Sequence, residues 1–353
     1  MAEFMIGRRL VGDGHPPVVI AEIGINHEGD VDLAIAMAEA AINAGGEIIK
    51  HQTHVVDDEM SDEAKKVIPG NADVSIYEIM RRCALSEEDE LTLMRHIQGR
   101  GAEFLSTPFS RAAADRLKSF GVSAYKIGSG ECNNYPLVRH IARAGKPVIL
   151  STGMNDLNSV QRSVDILRAA GVPFALLHCT NVYPTPHHLV RLSGVSVLKE
   201  AFPDAVVGLS DHSVDNFACL GAVVLGASIL ERHFTDSMAR PGPDIVCSMD
   251  PGALRELISG TKAIFVSLGE RGIASKAPVP EELPTIAFAF ASVVAVADVP
   301  AGGTLSEENI WVKRPSGGDF TAADYDGLLG RRLVHPIANG DRLSRRHLGG
   351  EDE

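Results

Sequence analysis

Two histidines stand where apolar runs of this chain break off. AVVGLSDH ends in Ser210, Asp211 and His212, and ASILERHF ends in Glu231, Arg232 and His233. Apolar runs of this length read as buried strands, and the segment between them, DNFACLGAVVLG, reads as a helix. Strand, helix, strand is the pattern of two neighbouring parallel strands. Imidazoles on adjacent strand ends could share one divalent metal. They could equally be framework histidines held in hydrogen bonds, and the spacing leaves both readings open.

The same punctuation recurs along the chain. VVIAEIGI carries Glu22 and leads to Asn26; EIIKHQTH carries Lys50, His51 and Gln52; EFLSTP ends in Ser106 and Thr107. SAYKIGSGE carries Lys126 and Ser129, PVILSTG ends in Ser151 and Thr152, and PFALLHCTN ends in His178, Thr180 and Asn181. Each buried polar group left unpaired would cost about 1–3 kcal/mol, so this much polarity needs a purpose. Two lysines with hydroxyls and an amide (Lys50, Thr107, Lys126, Ser129, Ser151, Asn181, Ser210) suit a phosphate dianion, which wants charge and many donors. The glycines of IGSGE and STG let backbone N–H groups approach an anion. His212 and His233, with carboxylates nearby, suit a borderline cation such as Mn²⁺, with zinc or cobalt as substitutes. Glu22, Gln52, Glu231 and Asp244 could hydrogen-bond a hydroxyl-rich substrate. No nucleophile–base triad assembles, because His178 and Cys179 are adjacent and must face opposite sides of a strand. Cys179 therefore reads as a core cysteine.

These strand ends need elements to bring them together. Eight strand-like runs follow one another, each trailed by an amphipathic segment such as RAAADRLKSF or NSVQRSVDILRAAG. Eight evenly recurring βα units predict an α/β fold, a closed (β/α)₈ TIM barrel over residues 1–270, whose strand C-termini meet at one mouth. Asp30 reads as the N-cap of a helix over 31–44 that Gly45-Gly46 ends. The long polar connection after HQTH reads as a site-building loop. After a helix over 251–270, a Lys-Pro-Glu-Pro linker (271–284) leads to a small, mostly β domain over 285–350. Its modest core predicts that it leans on the barrel or on another subunit.

The chain has 353 residues, 45% hydrophobic and 22% charged, with a formal net charge of −13. That acidity argues against nucleic acid as a partner. Five scattered cysteines form no disulfide framework. The N-terminus shows no apolar signal core and no run reaches membrane-spanning length, which predicts a cytoplasmic protein without membrane attachment.

The runs AEIGINHEGD, IIKHQTH, YKIGSGECNNYPL, LSTGM, LHCTNVYPTP, GLSDHS, ERHFTD, RPGPDIVCSM and KRPSGGDF closely resemble the N-acetylneuraminate (sialic acid) synthase family. The C-terminal part resembles the antifreeze-like (SAF, β-clip) module these enzymes carry. The resemblance implies condensation of phosphoenolpyruvate with N-acetylmannosamine and water to give N-acetylneuraminate and phosphate, in surface-polysaccharide biosynthesis. It implies a divalent metal, Mn²⁺ with Mg²⁺ or Co²⁺ as substitutes, held by His212 and His233. Phosphoenolpyruvate contacts would be Lys50, Thr107, Lys126, Ser129, Ser151, Asn181 and Ser210. Sugar contacts would be Glu22, Gln52, Asn71, Tyr183 and Asp244. Arg314 of KRP would come from the partner in a domain-swapped homodimer. Glu231 or Glu22 would orient or deprotonate the attacking water, alongside His212 and His233. Sister synthases that act on 2,4-diacetamido hexoses, forming legionaminic or pseudaminic acid, would share all but the sugar contacts. A non-catalytic carbohydrate-binding protein is the remaining alternative.

Overall fold

The structure is a computed structural model that describes residues 2–68, 73–242, 244–269 and 276–349. It forms two compact units, Met1–Arg271 and Gly272–Glu353.

The first unit opens with an antiparallel hairpin, β1 (Glu3–Ile6) and β2 (Arg9–Gly12). Eight parallel strands follow: β3 (Val18–Gly24), β4 (Ile48–Thr53), β5 (Glu103–Pro108), β6 (Tyr125–Ile127), β7 (Val148–Ser151), β8 (Phe174–Cys179), β9 (Val206–Asp211) and β10 (Ile229–His233). Their order is β5-β4-β3-β10-β9-β8-β7-β6. β5 and β6 lie side by side without a hydrogen-bonded ladder, so the predicted barrel is present and nearly closed.

Helices after the strands begin where the sequence supplies a capping side chain. Asp30 accepts from the Leu33 amide to start the helix Val31–Asn43, and Ser110, Asp156 and Asp250 do the same for Arg111–Phe120, Leu157–Ala169 and Pro251–Ser267. The loop that enters the first helix turns at Gly29, φ 84°, where a Cβ would sit 2.2 Å from the Arg82 carbonyl oxygen. The connection after β4 is as long as its sequence suggests, with short helical turns at Val56–Glu59, Asp62–Lys65 and Ile76–Cys83 before the helix Glu87–Gly99.

Strand alternation sorts the core into two layers. Outward residues such as Ile49, Phe104, Leu150 and Leu230 pack under the helices. Inward residues Val18, Ile20, Ile48, Leu105, Ala124, Ile149, Ala175, Leu177, Val206 and Ile229 fill the lower barrel. Phe4, Ile6 and Val11 of the hairpin join that inner cluster. Nothing in the sequence pattern marks this N-terminal hairpin in advance. Its alternation (Phe4 and Ile6 buried, Glu3 and Met5 exposed) spans just four residues, too few to stand out. Gly208 keeps β9 close to its neighbours, since a Cβ there would come within 2.2 Å of the Ile229 carbonyl oxygen and 2.5 Å of Leu177.

The second unit pairs β11 (Ser292–Ala295) with β12 (Ile310–Lys313) antiparallel, and further single bridges join it into a small β domain. Val293, Ala295, Leu305, Ile310, Leu333, Ile337 and Leu343 form its core. A helix at Leu283–Ala289 precedes the sheet, in a stretch that the sequence reading divided between linker and β domain.

His27, fully buried in the loop after β3, is held neutral. Burial first, and then neighbouring His51, push its pKa down to about 3, while its Nδ1 accepts from the Gly29 amide at 3.1 Å. The unfolded chain would bind a proton near the ordinary value of 6.5 and the folded chain would not. Stability is therefore complete above about pH 6.5 and is lost as pH falls toward 3. His27→Asn keeps the acceptor and cannot titrate, so urea melts between pH 6.5 and 4 should show its stability falling less steeply, by about 1.4 kcal/mol per pH unit.

Candidate active site

Above the apolar layers, the next inward positions are polar on every strand but β8, which places Cys179 there. β3 contributes Glu22, β4 Lys50 and Gln52, β5 Thr107, β6 Lys126, β7 Ser151, β9 Ser210, and β10 Glu231 and His233. Parallel register sets Glu22 beside Lys50 on one side and His233 on the other, and pairs Gln52 with Thr107 and Glu231 with Ser210. Ser129, Asn181, Tyr183 and His212 join from the connections beyond the strands, and with these side chains, Glu22 excepted, they line a cavity of about 180 Å³; Glu22 stands behind the lining, against Lys50 and Gln52.

Charge organises the floor of the cavity. Lys50 forms a close ion pair with Glu22, lies 3.6 Å from Glu231 and donates to Thr107 Oγ1 at 3.3 Å. Lys126 lies 3.5 Å from Glu231 and donates to Ser151 Oγ at 2.7 Å. Ser210 donates to Glu231 Oε1 at 3.1 Å. All four charged groups are buried. Burial opposes the charge on Lys50, but Glu22 and then Glu231 outweigh it and raise its pKa. For Lys126 burial wins over Glu231, Lys50 adds repulsion, and the pKa is lowered. Burial would raise Glu231, yet Lys126 and Lys50 hold it at about 2. A substrate anion would meet two lysines already balanced by two carboxylates.

The opposite wall is made by rings. Tyr183 lies over His212, centroids 4.0 Å apart, and His212 and His233 are 5.5 Å apart. Burial, then His233, lower the His212 pKa to about 3, so it is a neutral imidazole. Its Nδ1 donates to the Thr180 carbonyl at 3.0 Å, which leaves Nε2 with its lone pair. His233 Nδ1 is buried without a hydrogen-bond partner, and Asp244 Oδ2 stands 3.6 Å away. Among the described residues no three His, Cys, Asp or Glu side chains converge to hold an ion by themselves. Two imidazoles, one with a free lone pair and one with an orphaned nitrogen, fit a divalent ion that completes its shell with substrate oxygen and water.

Not every polar strand end faces this cavity. His51, Thr53 and Ser106 point outward, where Glu90 of the helix Glu87–Gly99 receives His51 (3.3 Å) and Thr53. Asp211 and Arg232 also point outward, 3.6 Å apart. Arg232 donates to Asn216 Oδ1 and to the Ser213 carbonyl, both at 2.7 Å. His178 bonds the Val190 carbonyl at 2.8 Å. Cys179 does face the cavity, but burial pushes its thiol up to about 11, so it stays protonated and is no nucleophile. Arg314 is an exposed residue of the second unit. Asn71 lies outside the described residues.

The structure adds Glu131 to the predicted set. It lines the cavity beside Ser129, and its Oε2 is buried without a partner. Burial above all, and then Glu59, push its carboxyl up to about 7. The sequence signal was the glutamate of IGSGE, overshadowed there by its glycines and serine. Between pH 4.5 and 7 the folded chain holds a proton that the unfolded chain releases, so stability is present below that window and is lost as pH rises through it. Glu131→Gln should therefore melt higher than the wild type at pH 8, with the difference vanishing below pH 4.5 in thermal scans.

Comparison with known proteins gives consistent matches. The sequence profile of the NeuB family matches residues 37–272 and that of the SAF domain matches residues 290–348. The N,N'-diacetyllegionaminic acid synthase of Legionella pneumophila is 34% identical over 339 residues, 94% of either chain. The enzyme of the same name from Campylobacter jejuni is 35% identical over 321 residues, 89% of this chain and 95% of its own. Among solved structures, the N-acetylneuraminic acid synthetase of Leptospira borgpetersenii superposes with a TM-score of 0.73 at 30% identity, covering 80% of this chain and 95% of its own.

Proposed function

Since this chain belongs to the NeuB family and ends in a SAF domain, we propose that it condenses phosphoenolpyruvate with a 2,4-diacetamido hexose and water, giving a legionaminic-type nonulosonic acid and phosphate. The observation that carries the reaction class is a single cavity with two lysines among hydroxyls on one side and two imidazoles beside Tyr183 on the other. The first set suits a phosphate and the second a metal-assisted carbonyl. The diacetamido sugar goes ahead of N-acetylmannosamine, which the motifs alone suggested, because of the full-length likeness to the two legionaminic acid synthases. N-acetylmannosamine is the second reading, supported by the likeness to the neuraminic acid synthetase fold.

Lys50 and Lys126 would take the phosphate charge, with Thr107, Ser129, Ser151, Asn181 and Ser210 as donors around it. Glu22, Gln52, Tyr183 and Asp244 would address the sugar; Asn71, and Arg314 from a second copy of the chain, are carried over on the resemblance alone. His212 and His233 would hold a divalent ion such as Mn²⁺, which when bound supplies polarisation of the sugar carbonyl. The methylene carbon of phosphoenolpyruvate attacks that carbonyl, water adds to the resulting cationic carbon, and the tetrahedral intermediate expels phosphate. Proton transfer at the water step suits Glu131 better than Glu231. A carboxyl poised near 7 can give and take a proton at neutral pH, whereas one held at about 2 is a weak base suited to orienting.

Phosphate release should require phosphoenolpyruvate, an acetamido sugar and a divalent cation together, and stop on chelation. The expected preference is a higher kcat/KM for the 2,4-diacetamido hexose than for N-acetylmannosamine; the reverse order would make N-acetylmannosamine the substrate, and no release with either would sink the enzyme. Lys126→Ala should raise KM for phosphoenolpyruvate as well as lower kcat, because its charge meets phosphate in both ground and transition states. An unchanged phosphoenolpyruvate KM in that variant would remove Lys126 from the phosphate site.

A further inference from the structure

His54 closes the IIKHQTH run, and no step of the proposed reaction uses it. It follows directly on β4 and is 5% exposed, yet both of its ring nitrogens are engaged. Nδ1 lies 2.8 Å from Glu59 Oε2, and Nε2 lies 3.2 Å from Gln52 Oε1. The ring stacks on Phe109, centroids 4.5 Å apart and planes within 9°. On its far side the Gln52 amide donates to Glu22 Oε1 at 3.1 Å. With the Gln52 NH₂ group turned to Glu22, its oxygen is left as an acceptor, so the proton in the contact with His54 belongs to His54 Nε2. A hydrogen-bonded chain thus runs from Glu59 through His54, Gln52 and Glu22 to Lys50.

The terminal torsion of a glutamine is soft, and its amide can present either end to a neighbour. The bond to Glu22 alone leaves that amide free to swing about one contact. The second bond, from a ring clamped between Glu59 and Phe109, fixes both ends. Glu59 is itself set by the short helix Val56–Glu59, where Asp58 Oδ2 accepts from the Ala112 amide at 2.8 Å and Asp57 Oδ1 accepts from the Tyr77 hydroxyl at 2.7 Å. His54 touches neither lysine: the chain meets the phosphate half only at Lys50, three contacts on, where Thr107 and Glu231 also hold the ammonium.

We infer that His54 is a positioning residue for the acceptor sugar: it fixes the orientation of the Gln52 amide, ties it to the first turn of the long loop, and leaves phosphoenolpyruvate binding untouched. The inference rests on the proposed role of Gln52 toward the sugar. His54→Phe keeps a ring on Phe109 and removes both hydrogen bonds, while His54→Gln returns a donor that reaches Gln52. His54→Phe should raise KM for the amino sugar about fivefold to tenfold, the worth of one net hydrogen bond. Its KM for phosphoenolpyruvate should stay within about twofold of the wild type. His54→Gln should recover most of the loss, and Glu59→Gln, which weakens the clamp from outside, should give a smaller rise of the same one-sided kind. Equal rises in both KM values, or no rise in sugar KM across these variants, overturns the inference.

A second readout does not depend on turnover. The side-chain amide protons of Gln52, assigned by their loss in Gln52→Glu, should exchange slowly in the wild type and much faster in His54→Phe or, if that variant does not fold, in Glu59→Gln. Unchanged exchange overturns the positioning role even in a protein that releases no phosphate. Absence of phosphate release with altered Gln52 exchange would instead overturn the reaction and keep the contact.

Discussion

Two lysines and two glutamates meet, all buried, at the barrel mouth, and the site depends on their mutual balance. Lys50 and Lys126 could not be kept buried alone, since an unpaired buried charge costs several kcal/mol. Glu22 and Glu231 offset them in the substrate-free protein. Their neutralisation is uneven. Lys50 has two carboxylates close by and its pKa is raised, while Lys126 has Glu231 at 3.5 Å with Glu22 acting more weakly, and burial pushes it the other way. The same balance holds Glu231 well below the ordinary carboxylate value, because both lysines face it.

Strand alternation lets one barrel hold that inner layer and a second polar layer behind it. Several inward groups of the site have an outward polar neighbour on the same strand. Asp211 and Arg232 sit between the pairs Ser210/His212 and Glu231/His233, and their contact lies between the barrel and its helices. Arg232 also reaches the loop carbonyls of Ser213 and Cys247. On the other side Glu90 gathers His51 and Thr53, the outward neighbours of Lys50 and Gln52. Charges one residue away and on the opposite face thus flank His212 and His233, although Arg232 Nε and His51 Nε2 remain buried without a hydrogen-bond partner.

Much of the arrangement was legible in the sequence because a barrel converts a one-dimensional rule into a site. If eight strands are parallel and closed, all their C-terminal residues converge, and residue types then sort into a half of lysines and hydroxyls and a half of imidazoles. Lys50, Thr107, Lys126, Ser151, Ser210, His212 and His233 are found together for that reason. The same shortcut over-counted. It grouped His51, Ser106 and Asp211 with the cavity, whereas the two-residue period of a strand turns them outward. It passed over Glu131, whose importance comes from an environment of burial and a neighbouring carboxylate that only the packed connections create. It also passed over the N-terminal hairpin, four residues a strand, that joins the lower core.

By itself the sequence determined the layout: apolar runs and turn residues at regular intervals set the eight βα units, and the polar residue at each strand end set the chemical class of the mouth. Tertiary structure decided what those residues are worth. Whether a carboxylate sits near 2 or near 7, whether an imidazole is neutral, and which amide end faces a substrate depend on distances across strands and loops remote in sequence. Coulombic and desolvation energies change over a few ångströms in a buried site, and no spacing along the chain encodes them.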